Sequence, residues 1–82
     1  LGGNVTIKVS SSSDTHLEVR DGNRKVVFDD DVEFGEVHRI DVLPPVQVTA
    51  EDAGAIDVEI NGDDRGSLGA DGQKARKTYR AD

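Results

Sequence analysis

From Gly54 to Gly62 the chain reads G-A-I-D-V-E-I-N-G. Ile56, Val58 and Ile60 recur at every second position, and Asp57 and Glu59 lie between them. Side chains on a strand alternate between faces, so this is a half-buried strand, and Asn61-Gly62 turns the chain at its end. Most of the chain follows the same rule. Asn4–Ser10 places Val5, Ile7 and Val9 on one face, with Thr6 and Lys8 on the other. Thr15–Arg20 turns Leu17 and Val19 inward. Asp21-Gly22-Asn23 is a turn signal, since these residues tolerate positive φ. Arg24–Asp29 is a third strand with Val26 and Phe28 on one face. His38–Leu43 carries Ile40 and Val42, Val46–Ala50 carries Val46, Val48 and Ala50, and Lys74–Arg80 carries Ala75 and Tyr79.

The intervals read as turns. Ser10–Ser13 breaks the first pattern. Asp29-Asp30-Asp31 and Glu33-Phe34-Gly35-Glu36 read as charged bends. Pro44-Pro45 ends the fourth strand, because proline cannot donate to a ladder. Asn61–Gly72, rich in glycine and Asp/Asn, reads as a long connection anchored by Leu68. No window of eleven residues has helical periodicity. Seven short strands between turn signals predict an all-β fold: a small antiparallel β-sandwich, immunoglobulin-like in architecture, whose two sheets hide both apolar faces. Residues 4–82 form this one domain, and Leu1-Gly2-Gly3 reads as a linker remnant.

Composition narrows the picture. A chain of 82 residues has a small core, and with 34% apolar residues and only Phe28, Phe34 and Tyr79 as aromatics, that core is mostly Val, Ile, Leu and Ala. Seventeen acidic against ten basic residues give a net charge of -7. That balance argues against nucleic acid and against anionic lipid as partners. The absence of cysteine excludes a disulfide framework and a thiolate metal site, and is compatible with either side of a membrane. The chain begins at Leu1 and is expected to be a piece of a longer protein, with any anchor upstream.

Candidate chemistry is sparse. Three consecutive aspartates diverge in extended backbone and cannot all reach one calcium ion. Asn61–Gly66 lacks the alternating acidic positions of an EF-hand loop. Gly66–Gly72 is glycine-rich, but a strand follows it where a phosphate-cradling loop needs a helix, so it reads as a flexible hairpin connection. His16 points away from Leu17 and Val19, while His38 shares parity with Ile40, and nothing in the sequence joins them into a metal site. The serines of Ser10–Ser13 have no nucleophile motif beside them. No catalytic residue, metal ligand or cofactor is assigned. Lys74, Arg76, Lys77 and Arg80 form a basic cluster on the last strand, suited to a solvated face or to contact with an acidic partner or a wall polymer.

Several segments taken in order resemble the C-terminal extracytoplasmic domain of the bacterial RodZ family. They are D-T-H-L-E-V-R-D at Asp14–Asp21, Lys25–Phe28 with Gly35–Ile40, P-V-Q-V-T at Pro45–Thr49, A-G-A-I-D-V-E-I-N-G at Ala53–Gly62, Leu68–Gly72 and the terminal K-A-R-K-T-Y. His16 departs from the family pattern, which usually has tryptophan there. Family members are bitopic membrane proteins with a cytoplasmic helix-turn-helix domain, one span, a linker and this β domain outside. They link the MreB cytoskeleton to peptidoglycan synthesis. The resemblance implies a non-enzymatic interaction domain, on the periplasmic or wall side of the cytoplasmic membrane, that meets proteins of the wall elongation or division machinery. The outward residues His16, Glu18, Arg20, Asp57 and Glu59 are the candidate contact surface. The alternative is an immunoglobulin-like adhesion module or one binding peptidoglycan or carbohydrate, which would need exposed aromatics to stack on sugar rings.

Overall fold

In the computed structural model, residues 4–80 are described; the linker expected at residues 1–3 lies outside them. Eight strands occur in chain order: β1 (Val5–Ser11), β2 (Thr15–Arg20), β3 (Val26–Val32), β4 (Val37–Val42), β5 (Val46–Ala50), β6 (Ile56–Ile60), β7 (Asp63–Ser67) and β8 (Ala75–Tyr79). A single 3₁₀ turn, Ala53–Ala55, leads into β6. Every pairing is antiparallel, and the strands form two four-stranded sheets, ordered β4-β1-β6-β7 and β3-β2-β5-β8. The first is called sheet 1 below and the second sheet 2.

The alternating residues close the core as their spacing predicts. Val5, Ile7 and Val9 meet Ile56, Val58 and Ile60 along one sheet, while Leu17 and Val19 meet Val46, Val48 and Ala50 along the other, and all are buried. Burying each of the larger side chains contributes about 1.5–3 kcal/mol. Leu68 is buried too, and anchors the connection to β8. At one side of the sandwich, Phe28 of β3 and His38 of β4 lie with ring centroids 4.9 Å apart, joining the edge strands of the two sheets.

Three expectations are corrected. The aspartates Asp29-Asp30-Asp31 are not a bend but the middle of β3, paired with Glu18, Leu17 and His16. Backbone pairing with β2 carries the ladder past them to Val32, whose burial fixes the strand end. Second, Val26 and Phe28 do not share a face. Val19 pairs with Phe28 but Arg20 with Val26, so Val27 is an extra bulged residue that reverses the alternation. Val26 and Val27 are accordingly exposed, at 40% and 39%.

Third, Asn61–Gly72 contains an eighth strand. Asn61 and Gly62 both have positive φ, 51° and 88°, and Ile60 pairs with Asp63 across them. This two-residue hairpin turn matches the twist of its flanking strands and returns the chain antiparallel, whatever side chains follow. Hence β7 forms although all five of its residues are exposed. The glycine-rich segment beyond is not a hairpin loop, since it crosses from sheet 1 to sheet 2. It docks on the 3₁₀ turn through Gly54 N–Ala70 O (3.1 Å), Ala53 N–Gln73 O (2.8 Å) and Gly72 N–Asp52 Oδ1 (2.7 Å).

Candidate contact faces

The five candidate contact residues divide between two faces. His16, Glu18 and Arg20 alternate outward along β2 on sheet 2, and Asp57 and Glu59 do so along β6 on sheet 1. The core lies between them, so they form two separate surfaces.

On sheet 2, pairing of β2 with β3 sets His16 beside two carboxylates that the alternation puts on one face. Its Nδ1 lies 2.7 Å from Asp31 Oδ1 and its Nε2 lies 2.5 Å from Asp29 Oδ1. Two acceptors require two donors, so the arrangement favours the imidazolium. The hydrogen bond to Asp31, then that to Asp29, raises the His16 pKa above its usual value. Two positions along, Arg20 donates to both oxygens of Glu18, Nε at 2.9 Å and a terminal nitrogen at 3.4 Å. The Arg20 hydrogen bond holds the Glu18 carboxyl below the usual range, aided by the charges of Arg20 and Arg76. Across β5, Arg76 Nε donates to Thr49 Oγ1 at 3.1 Å, and Lys74 Nζ lies 3.5 Å from Glu51. The face therefore runs from acidic at the β3 edge to basic at the β8 edge.

Between Arg20, Arg76 and the β2–β3 turn lies a groove of about 360 Å³, lined by Arg20, Arg24, Gln47 and Arg76. Arg24 enters it from a tight turn. Asp21 Oδ1 accepts from the amides of Asn23 (2.8 Å) and Lys25 (2.9 Å), and Asp21 O accepts from Arg24 N (2.9 Å). This leaves Arg24 at φ 64°, a left-handed conformation that costs a side-chain-bearing residue about 1–2 kcal/mol. Gly22 fits beneath Pro44, whose carbonyl oxygen a Cβ there would overlap. Arg76 was legible in the basic cluster of β8 and Arg20 as an outward residue of β2, but not their meeting in one groove, because they lie far apart in the chain. The usable signal was Arg24 itself, the residue after Gly22-Asn23 in a turn.

On sheet 1, Lys8 Nζ lies 3.1 Å from Glu59, its cross-strand neighbour. Asp57, Glu59 and Asp64 line an acidic hollow with Ser10 and Gly66. Among the described residues no group of three or more His, Cys, Asp or Glu is placed to hold a metal ion. Of the three aromatics, Tyr79 is buried and Phe28 packs against the core, while Phe34 is 75% exposed at the β3–β4 turn. That turn is closed by Glu36, whose carboxylate accepts from Glu33 N (2.6 Å) and from His38 Nε2 (2.9 Å). The His38 bond, then that to Glu33, lowers the Glu36 pKa.

The family model for the RodZ C-terminal domain matches residues 8–78, a span that takes in both candidate faces, the groove and the turn bearing Phe34. No curated protein and no solved structure matches the chain.

Proposed function

Because this chain belongs to the RodZ C-terminal domain family, we propose that it is the extracytoplasmic, non-enzymatic interaction domain of a RodZ-type bitopic membrane protein. In that reading the parent protein connects the MreB cytoskeleton, inside, to the machinery of wall elongation or division, outside. The observation that carries the proposal is the family match across nearly the whole chain.

The surface chemistry supports a role in contact. Both outer faces are polar and carry ion pairs, across strands at Lys8–Glu59 and His16–Asp31 and along β2 at Arg20–Glu18, which fix charge position more than they add stability. Charges held in a fixed pattern favour the right partner and disfavour the wrong one. Phe34 adds an exposed ring on a turn tied down by Glu36, the kind of anchor that carries binding energy at an interface.

The test is site-specific photocrosslinking in the full-length parent protein, with the reactive residue placed in turn at Glu18, Phe34 and Asp57. Crosslinks to wall-synthesis or division proteins from at least one site are expected. Crosslinks confined to cytoplasmic proteins would overturn the location, and no crosslink from any site would overturn the role in contact.

A further inference from the structure

We propose that the groove between the β2–β3 turn and β8 binds a carboxylate group of an acidic peptide ligand, gripped by Arg24 and Arg76 across Gln47. The inference stands on the geometry of the groove and does not require the family role.

The first support is charge. The protein carries a net charge of -7, yet three of its ten basic residues line this one depression as guanidinium groups. The neighbouring carboxylates are already engaged: Glu18 with Arg20, and Asp21 with the amides of Asn23 and Lys25. Arg76 is oriented by its bond to Thr49 Oγ1, and Arg20 by Glu18 and by a 3.3 Å bond to the Arg24 carbonyl. Among the described residues the Arg24 guanidinium has no ion-pair partner.

The second support is backbone strain. Arg24 holds φ 64° in a turn where glycine or asparagine would sit at lower cost. Strain retained by a long charged side chain at the rim of a cationic groove points to a use for that side chain.

The chemistry of guanidinium selects the ligand class. Its planar fork matches a carboxylate through two parallel N–H···O bonds, as Arg20 shows with Glu18 on this face. A groove of about 360 Å³ has room for more than one carboxylate, which suits an extended acidic segment, with the Gln47 amide available to its backbone.

The test is a titration of the ¹⁵N-labelled chain with tetraglutamate, with tetraglutamine and inorganic phosphate as separate arms, at low ionic strength. Saturable shifts are expected at Arg20, Arg24, Gln47 and Arg76, with none from tetraglutamine. Arg24→Gly should weaken tetraglutamate binding at least tenfold while leaving the melting temperature unchanged or raised, since glycine relieves the strain. Arg76→Gln should weaken it similarly, and Lys77→Gln should leave it within twofold. Binding within twofold of wild type in Arg24→Gly would overturn the proposal, as would shifts spread evenly over all the basic residues. Tighter binding of phosphate at the same residues would overturn the carboxylate assignment.

Discussion

Replacing Gly54 by alanine tests whether the 3₁₀ turn and the β7–β8 connection form one packed unit. A Cβ at residue 54 would lie 2.5 Å from both Cα and N of Asp71 and would overlap its Oδ1. Ordinary contact begins near 3.4 Å, so the Asp71 backbone would have to retreat by about 0.9 Å. That displacement strains Gly54 N–Ala70 O, already 3.1 Å long, and the Gly72 N–Asp52 Oδ1 bond next to it. Overpacking of this kind costs about 1–3 kcal/mol. Each backbone bond lost adds about 0.5–1.5 kcal/mol. A destabilisation of about 2–4 kcal/mol follows, a large share of the roughly 4–12 kcal/mol available to a domain of this length. With a urea m-value of about 1 kcal/mol/M, the unfolding midpoint should fall by about 2–4 M. The double variant Gly54→Ala/Asp71→Ala separates side chain from backbone. Truncating Asp71 leaves its Cα and N in place, so no rescue is expected. A loss below about 0.5 kcal/mol in the single variant, or recovery in the double, would refute a backbone-to-backbone lock.

Three further outcomes follow from the same geometry. The folded-state pKa of His16 is raised by Asp31 and Asp29, so its contribution is fully present below the unfolded value near 6.5 and is lost as pH rises through the folded value. Thermal melts of wild type and His16→Gln should therefore differ most in mildly acidic buffer and converge at alkaline pH, and a constant gap would contradict the ion triad. Among the described residues the buried Tyr79 hydroxyl has no hydrogen-bond partner, and burial pushes its pKa up, so Tyr79→Phe should be neutral or stabilising by up to about 1 kcal/mol in urea titration. Asp30 pairs with inward Leu17 on the edge strand β3, a charge turned toward the core side that guards an open edge. Asp30→Val should promote self-association in light scattering, and an unchanged monomer would contradict that role.

The sandwich was legible because its core is written in strict alternation. Ile56, Val58 and Ile60, Leu17 and Val19, and Val46, Val48 and Ala50 all fall where period two puts them. β7 was not legible by that rule, since D-D-R-G-S has no apolar side to read. Its cue is the preceding Asn61-Gly62, which specifies a returning strand through backbone geometry. The Asp29–Asp31 strand was hidden for a related reason: an edge strand gains its hydrogen bonds from one neighbour and can hold charges on both faces. The candidate contact residues on β2 and β6 were legible as outward positions, but not their division between opposite faces, which depends on sheet order. The arginine groove was less legible still. Residues 20, 24, 47 and 76 meet only because β2 lies beside β5, and β5 beside β8.

The most direct test of the account is cell shape in a strain whose protein lacks residues 4–82, with everything else in it left intact and its level matched to wild type. The account predicts loss of uniform rod width and of septal localisation, restored by returning the domain and not by an unrelated β-sandwich of similar size. Unchanged width and localisation in the deletion strain would contradict it.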